Sequence, residues 1–228
     1  SSAQSSAGVP VGRRGAPAIP GPGLSADSPP MDVLDDLGRM GSLEEVAERI
    51  RTTYCCQTLC PSRTHAVPGD GNPRARLVLV GEGPGATEDA QGLPFVGAAG
   101  RLLDSILEAI EVPRKEVYIT NIVKCRPPGN RDPLPEEIES CEPHLWRQIE
   151  LIQPKLICTL GNFATKLLSG RPNGITQVHG RQQDVVLGGN PVTLYPIFHP
   201  AAALYTPRML QVLQEDFARI PELLGLAV

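Results

Sequence analysis

Leu77-Val78-Leu79-Val80-Gly81-Glu82-Gly83-Pro84-Gly85-Ala86-Thr87-Glu88-Asp89 is an apolar run that opens into glycines, and Gly92-Leu93-Pro94-Phe95-Val96-Gly97 follows it. An unbroken apolar run of this length marks a strand buried on both faces. Glycines where such a strand ends let the backbone turn tightly and come close to a ligand. A pocket of small-molecule size is expected there.

Working outward, Arg76–Val80 is the first strand, Val117–Val123 the second and Leu156–Leu160 the third. Val192–Phe198 is the last strand, reached through a hairpin from Val185-Val186-Leu187 across Gly188-Gly189-Asn190. Helical patterns lie between them. Ser42 and Glu45 form a capping-box pattern. Leu43, Val46, Ala47 and Ile50 then recur at helical spacing, in a helix that delivers Tyr54-Cys55-Cys56. Leu102, Leu103, Ile106, Leu107 and Ile110 make a second stripe, closed by Pro113. Pro135, with Glu136, Glu137 and Glu139, starts a third helix. It is expected to break or restart near Pro143 and to run on through Trp146 to Ile152. Asn162–Leu168 is a short helix ended by Gly170, and Met209–Leu224 the closing helix. This alternation predicts an α/β fold, a three-layer αβα sandwich with a mostly parallel central sheet of about four strands.

The 228 residues suffice for one well-buried domain and a tail. Residues 1–30 are mostly Ser, Ala, Gly and Pro, which cannot bury enough surface to offset ordering entropy. They read as a disordered tail ahead of a single domain over 31–228. The net charge of -4 speaks against a DNA-coating polycation but leaves room for a local basic face. No run of about 18 apolar residues and no signal pattern is present, so a cytoplasmic, monomeric protein with no membrane segment is expected. In that compartment six cysteines favour metal ligation or core thiols over disulfides.

In a sheet of this class, ligands bind at the carboxyl ends of the strands. The polar residues delivered there are Glu82, Asn121 and His199, one from each of three strands. Each alone has a structural explanation, but their shared edge makes them a candidate catalytic set.

The segments GEGPGATEDAQGLPFVGAAGRLLD (81–104), YITNIVKCRPPGNRDPLPEE (118–137), ITQVHG (175–180) and FHPA (198–201) resemble the family 4 uracil-DNA glycosylases. This is the iron–sulfur branch of the uracil-DNA glycosylase superfamily, and the likeness covers about residues 45–225. The resemblance implies a monofunctional enzyme of base excision repair that flips uracil out of single- or double-stranded DNA, cuts its N-glycosidic bond and leaves an abasic site. It implies Glu82 beside the sugar and the attacking water, and Phe95 stacked on the base. Asn121 would bond the Watson–Crick edge, and His199 would donate toward uracil O2. Glu88 would lie near the base's 5-position, and the backbone of Gly81, Gly83 and Gly85 would approach base and sugar. The loop Pro200-Ala201-Ala202-Ala203-Leu204 would wedge into the duplex; Ala201 stands where the family often has Ser. His179 and Arg181, in the loop before the last hairpin, are read as phosphate contacts.

These roles suit the chemistry. Extrusion brings the base to a pocket, an aromatic face stacks on it for ~1–3 kcal/mol, and Asn carries both a donor and an acceptor. A donor aimed at the charge developing on O2 is worth ~3 kcal/mol.

By the same resemblance Cys56, Cys60, Cys125 and Cys141 hold a [4Fe–4S] cluster, with Cys55 as the substitute for Cys56; four thiolates also suit zinc. Fifteen residues separate Cys125 from Cys141, as in the family, whereas the upstream spacing departs from its C-x2-C form. Cys158, within a strand, reads as a small core hydrophobe. The alternative within the enzymes is a broader-specificity or bifunctional glycosylase/lyase, and Lys124 accordingly has two readings, a Schiff-base nucleophile or a phosphate contact. A non-catalytic iron–sulfur DNA-binding protein is the alternative from another class.

Overall fold

The predicted strand 76–80 is the centre of the sheet in a computed structural model that describes residues 36–53, 56 and 58–226. The proposed tail over 1–30, with its boundary, and Tyr54 and Cys55 lie outside the described residues. Strands β1 (Asp70–Gly71), β2 (Leu77–Gly81), β3 (Tyr118–Asn121), β4 (Leu156–Leu160), β5 (Gln183–Leu187) and β6 (Asn190–Ile197) form one sheet in the order β1-β3-β2-β4-β6-β5. The four inner strands are parallel, as expected. The sheet has two antiparallel edges, β1 on β3 and β5 on β6, the latter being the predicted hairpin. The two-residue β1 is too short to carry a periodic signal.

Both faces of the inner strands are covered, which is why they read as continuous apolar runs. Side chains alternate between two cores. Val78, Val80 and Ile157 pack on one side with helices α4 (Pro135–Ile152) and α5 (Asn162–Ser169), through Leu145, Ile149, Ala164 and Leu168. Leu77, Leu79, Leu156, Cys158 and Leu160 pack on the other with α3 (Ala98–Ala109), α7 (Pro207–Ala218) and α8 (Ile220–Leu224), through Leu103, Leu107, Leu213, Phe217 and Ile220. Buried side chains of this kind stabilise by ~1.5–3 kcal/mol each, which holds the three layers together.

After a helical turn over 36–39, helix α1 (Leu43–Glu48) carries the predicted capping box and runs into a π-helical turn, Arg49–Thr53. Two helices absent from the sequence reading are α2 (Ala86–Gln91), after the glycine loop, and α6 (Ile175–Val178). The expected break at Pro143 does not occur: α4 is one helix of 18 residues with Pro143 inside it. Its buried face, from Cys141 through Leu145, Gln148 and Ile149 to Ile152, holds it in register against the ~3 kcal/mol that an interior proline costs. The closing helix, in contrast, is split into α7 and α8, with Pro221 in the first turn of α8, where its missing N–H costs nothing.

Candidate active site

Three strand ends meet, as expected, at one cavity of about 350 Å³. Glu82, Gly83, Gly85, Glu88, Phe95, Asn121, His199 and Ala201 all line it. Gly81 sits behind this wall, paired in register with Asn121. A Cβ there would come within 2.4 Å of Asn121 Oδ1 and 2.8 Å of the Phe95 ring, so only glycine lets these two groups lie together.

Phe95 has φ of 50°, a left-handed conformation that a bulky residue adopts only when its surroundings impose it. Those surroundings are specific. Arg114 Nη1 donates to Phe95 O at 2.9 Å and Nη2 to Pro94 O at 2.5 Å, while Asp104 holds the same guanidinium at 2.8 Å. Glu88 Oε1 accepts from Val96 N at 2.9 Å and Gly97 N at 2.7 Å. Glu88 therefore both borders the cavity and fixes the loop that presents the ring. On the far side Gly100 admits the loop, since a Cβ there would meet Phe95 O at 1.9 Å.

Asn121 is 1 % exposed, and its buried Oδ1 has no hydrogen-bond partner in the protein. A buried acceptor of that kind calls for a ligand donor. The His199 ring lies 5.5 Å from the Phe95 ring, and its Nδ1 accepts from Ala201 N at 3.2 Å. Nδ1 is thus the unprotonated nitrogen, and a neutral ring carries its hydrogen on Nε2. Burial pushes the His199 pKa down to about 4, against the opposing pull of Glu88, so the ring is a neutral donor near pH 7. Burial raises the Glu82 carboxyl above its ordinary value, and the charge of Asp132 adds to this.

A stacking face, an orphaned amide oxygen, a neutral imidazole and a carboxylate make a site for a flat, hydrogen-bonding heterocycle joined to a polar group. Residues 68–220 match the model of the uracil DNA glycosylase superfamily. The chain is 46 % identical over 189 residues to the type-4 uracil-DNA glycosylase of Sulfurisphaera tokodaii, covering 81 % of this chain and 86 % of that one. It is 44 % identical to the type-4 enzyme of Archaeoglobus fulgidus, over 82 % and 95 % of the two chains. It is 34 % identical to the type-5 uracil-DNA glycosylase of Thermus thermophilus, over 47 % and 56 %. The chain belongs to the type-4 family of the uracil-DNA glycosylase superfamily.

Other residues of this glycosylase line the cavity that the strand-end reading did not single out: Pro84, Ala99, Pro127, Asn130 and Arg131. Arg131 forks onto fully buried Glu137, at 2.6 and 2.8 Å, and Glu137 Oε2 also accepts from Leu134 N at 2.8 Å. This pair fastens the 126–134 loop, which forms one rim, to the start of α4. The charges six residues apart were visible in sequence, but nothing there said that the loop folds back.

The expected DNA-contact residues lie outside this cavity, apart from Ala201. His179 Nδ1 is held by Asp216 Oδ2 at 2.9 Å and its ring packs 4.5 Å from Phe198, while Arg181 is exposed. In the turn after His199, Pro200 is buried, Leu204 half-buried, and Tyr205, which the sequence reading passed over, is 91 % exposed.

Cys56, Cys125 and Cys141 are buried within one core. Arg63 Nη1 donates to Cys125 Sγ at 3.0 Å and Lys124 N to Cys141 Sγ at 3.2 Å. Burial pushes the Cys141 thiol up to about 12, with Lys124 opposing and the other two thiols adding. Cys60 is disulfide-bonded, and among the described residues no three metal-binding side chains are gathered around a point. Cys158 is a buried core thiol, as expected.

Both readings of Lys124 are overturned. The residue is 0 % exposed and its Nζ is enclosed by hydrogen-bond acceptors, so it reaches neither phosphate nor a sugar carbon. Among the described residues no helix is long and apolar enough to cross a membrane.

Proposed function

We propose that this chain is a monofunctional uracil-DNA glycosylase of base excision repair. It acts on uracil flipped from DNA into the cavity between Phe95, Asn121 and His199. The observation that carries the reading is the pairing of a buried, partnerless Asn121 Oδ1 with a His199 ring whose Nδ1 is already engaged. Together they offer an acceptor for uracil N3–H and a donor for O2 on one flat edge. A Cβ at Gly81, Gly83 or Gly85 would crowd Asn121 and Phe95, Val123, or Glu88 in turn, so glycine at these positions keeps the wall that would face base and sugar in place.

In the reaction the C1′–N1 bond breaks and its electron pair leaves on uracil, where negative charge gathers on O2. The Nε2–H of His199 stabilises that charge without giving up its proton, a contribution of ~3 kcal/mol for a well-placed donor. The Glu82 carboxylate faces the oxocarbenium-like sugar and accepts a hydrogen bond from the attacking water. Water oxygen bonds to C1′, its proton passes to Glu82 or solvent, and uracil takes up a proton as it leaves. The burial of Lys124 supports hydrolysis over lyase chemistry, because among the described residues no lysine lines the cavity. His179, Arg181, Pro200, Ala201 and Leu204 form the face for the phosphodiester backbone and the gap left by the base, with Tyr205 the most protruding member.

Cys56, Cys60, Cys125 and Cys141 would hold a [4Fe–4S] cluster, Cys60 in its reduced form. The support is partial: Cys56, Cys125 and Cys141 are buried thiols in one apolar core and two of their sulfurs face N–H donors, but the described residues gather no three metal ligands around a point and Cys60 would first have to leave its disulfide. When bound, the cluster supplies cross-links between the segment around residue 56, the loop after β3 and α4. It takes no part in bond cleavage.

One assay tests the reading: incubation with a uracil-containing oligonucleotide, followed by electrophoresis with and without alkali. Strand breakage only after alkali is expected. Breakage without alkali would mean a lyase, and no breakage would leave a binding protein.

A further inference from the structure

Among the described residues four other than glycine have left-handed backbone: Phe95, Glu111, Asn130 and Gln153. Glu111 and Gln153 follow the ends of α3 and α4, and Asn130 closes the turn Pro128–Asn130. All three are exposed, and at helix ends and turns such geometry is common. Phe95 is different. It is 5 % exposed, it is aromatic, and its ring is a wall of the cavity. A buried aromatic does not hold this conformation by its own preference, so its neighbours must impose it.

The φ torsion of Phe95 runs from the carbonyl carbon of Pro94 to its own. The oxygens on those two carbons are the ones Arg114 takes, Pro94 O from Nη2 at 2.5 Å and Phe95 O from Nη1 at 2.9 Å. A guanidinium is planar and holds its donors at fixed spacing, so a fork across both carbonyls sets the torsion between them. Asp104 Oδ1 fixes the fork, 2.8 Å from Nη1. Asp104 lies one turn along α3 from Gly100, whose missing side chain lets Phe95 O in. The ring so placed lies beside Gly81, where a Cβ would come within 2.8 Å of its Cε2 and Cζ, and 5.5 Å from the His199 ring. A turn about φ would carry it off both. Arg114 itself does not line the cavity.

We infer that Arg114, set by Asp104, is a positioning residue for uracil excision: it locks the backbone torsion that aims the Phe95 ring at the base. The inference rests on the reading that Phe95 stacks on flipped uracil. With the fork in place the stacking face is preformed, and the extruded base meets it without waiting for the loop to reorder. Without the fork Phe95 relaxes toward the negative φ that a bulky residue prefers, and only a fraction of the molecules present the ring. Glu88 does not replace it. Bonded to the amides of Val96 and Gly97, Glu88 holds the loop downstream of the torsion and not across it.

A double-mutant cycle with Phe95 tests this, read as single-turnover excision with enzyme in excess and with thermal melting alongside. Arg114→Lys keeps the charge but cannot fork two carbonyls, and it should slow excision about tenfold. Phe95→Ala loses a stacking face and no reacting group, so its rate stays measurable. In that background Arg114→Lys should cost nothing further, because no ring is left to aim. Asp104→Asn should show a smaller loss with the same dependence on Phe95, and it carries the test if Arg114→Lys does not fold. A loss of the same factor with and without the Phe95 ring would overturn the inference and make Arg114 a packing residue. Wild-type rates in both Arg114→Lys and Asp104→Asn would overturn it as well. A wild type that releases no uracil would instead overturn the stacking reading beneath it.

Discussion

The base pocket and the cysteine corner are fed by the same chain segment and built on opposite terms. Asn121 ends β3 facing an open cavity, and four residues later Cys125 is enclosed in the core. In the pocket, polar atoms are left without protein partners on the open side and are braced from behind. The bracing is done by Glu88 on the Phe95 loop, Arg114 on its carbonyls and Ala201 N on His199. In the corner the sulfurs face inward, and those of Cys125 and Cys141 already receive N–H donors. An open face with a rigid back is what transition-state stabilisation needs. A sealed neighbourhood contributes stability. Substitutions in the pocket should therefore change rate and spare folding, and those in the corner should do the reverse.

The largest effect on rate is expected at His199 and Asn121. Each change to Ala should lower uracil excision by roughly 10²–10³, as loss of one transition-state donor does. Single-turnover kinetics beside thermal melting would show this. A melting temperature that falls with the rate would break the contrast, because these residues would then be packing groups. In the corner, Cys125→Ser or Cys141→Ser should bleach the protein and lower its iron from about four per chain. A buried hydroxyl left unpaired costs ~1–3 kcal/mol, or roughly 2–12 °C in a domain of this size. The fraction that stays folded should keep its excision rate; a colourless, fully active protein containing zinc would reject the iron.

The same division explains what the sequence could say. The inner strands were legible because both faces are buried, which leaves an unbroken apolar signature at 77–80 and 156–160. Glu82, Asn121 and His199 followed from their places at the ends of such strands. Helix α2 was missed because its six residues carry no apolar stripe, and β1 because two residues carry no pattern at all. Pro143 and Pro221 look alike in sequence. Only the packing of α4 on the sheet decides that one is absorbed and the other ends a helix. Lys124 was misread for a similar reason. A lysine just past a strand looks solvent-bound until Gln148, 24 residues on, closes over it.

The rate contrast can be sharpened inside the pocket by pH. Glu82 must be ionised to act, and its pKa lies above 4.5, so kcat/KM should fall as pH drops through that raised value. His199 gains a proton only near pH 4, so it adds no limb between pH 5 and 8. Glu82→Gln should give a lower, flat profile over that range. A limb near pH 6.5 surviving in Glu82→Gln would show that His199 titrates as an ordinary imidazole. For stability the sign is separate: the unfolded chain protonates His199 near 6.5 and the folded chain near 4. The stability this residue contributes is complete above pH 6.5 and is lost on acidification between those values.

The smallest effect should come from the rim, where neither pocket nor corner rules apply. The turn after His199 is held by bonds from Ala202 N to His199 O at 2.9 Å and from Thr206 N to Ala203 O at 3.4 Å. It thrusts Tyr205 into solvent at 91 % exposure, and Leu204 is only half covered. A protruding aromatic on a fixed turn beside the cavity can stack where the flipped base has left the duplex, for ~1–3 kcal/mol. Extrusion costs most from a paired site and least from a mismatch or a single strand. A residue that fills the gap therefore matters in the same order. Tyr205→Ala should slow excision from U·A duplexes about tenfold, from U·G less, and from single strands least. Leu204→Ala should show a weaker version of the same ordering. Equal losses on all three substrates with a lower melting temperature would make the turn a packing element, and the wedge would then lie elsewhere on the rim.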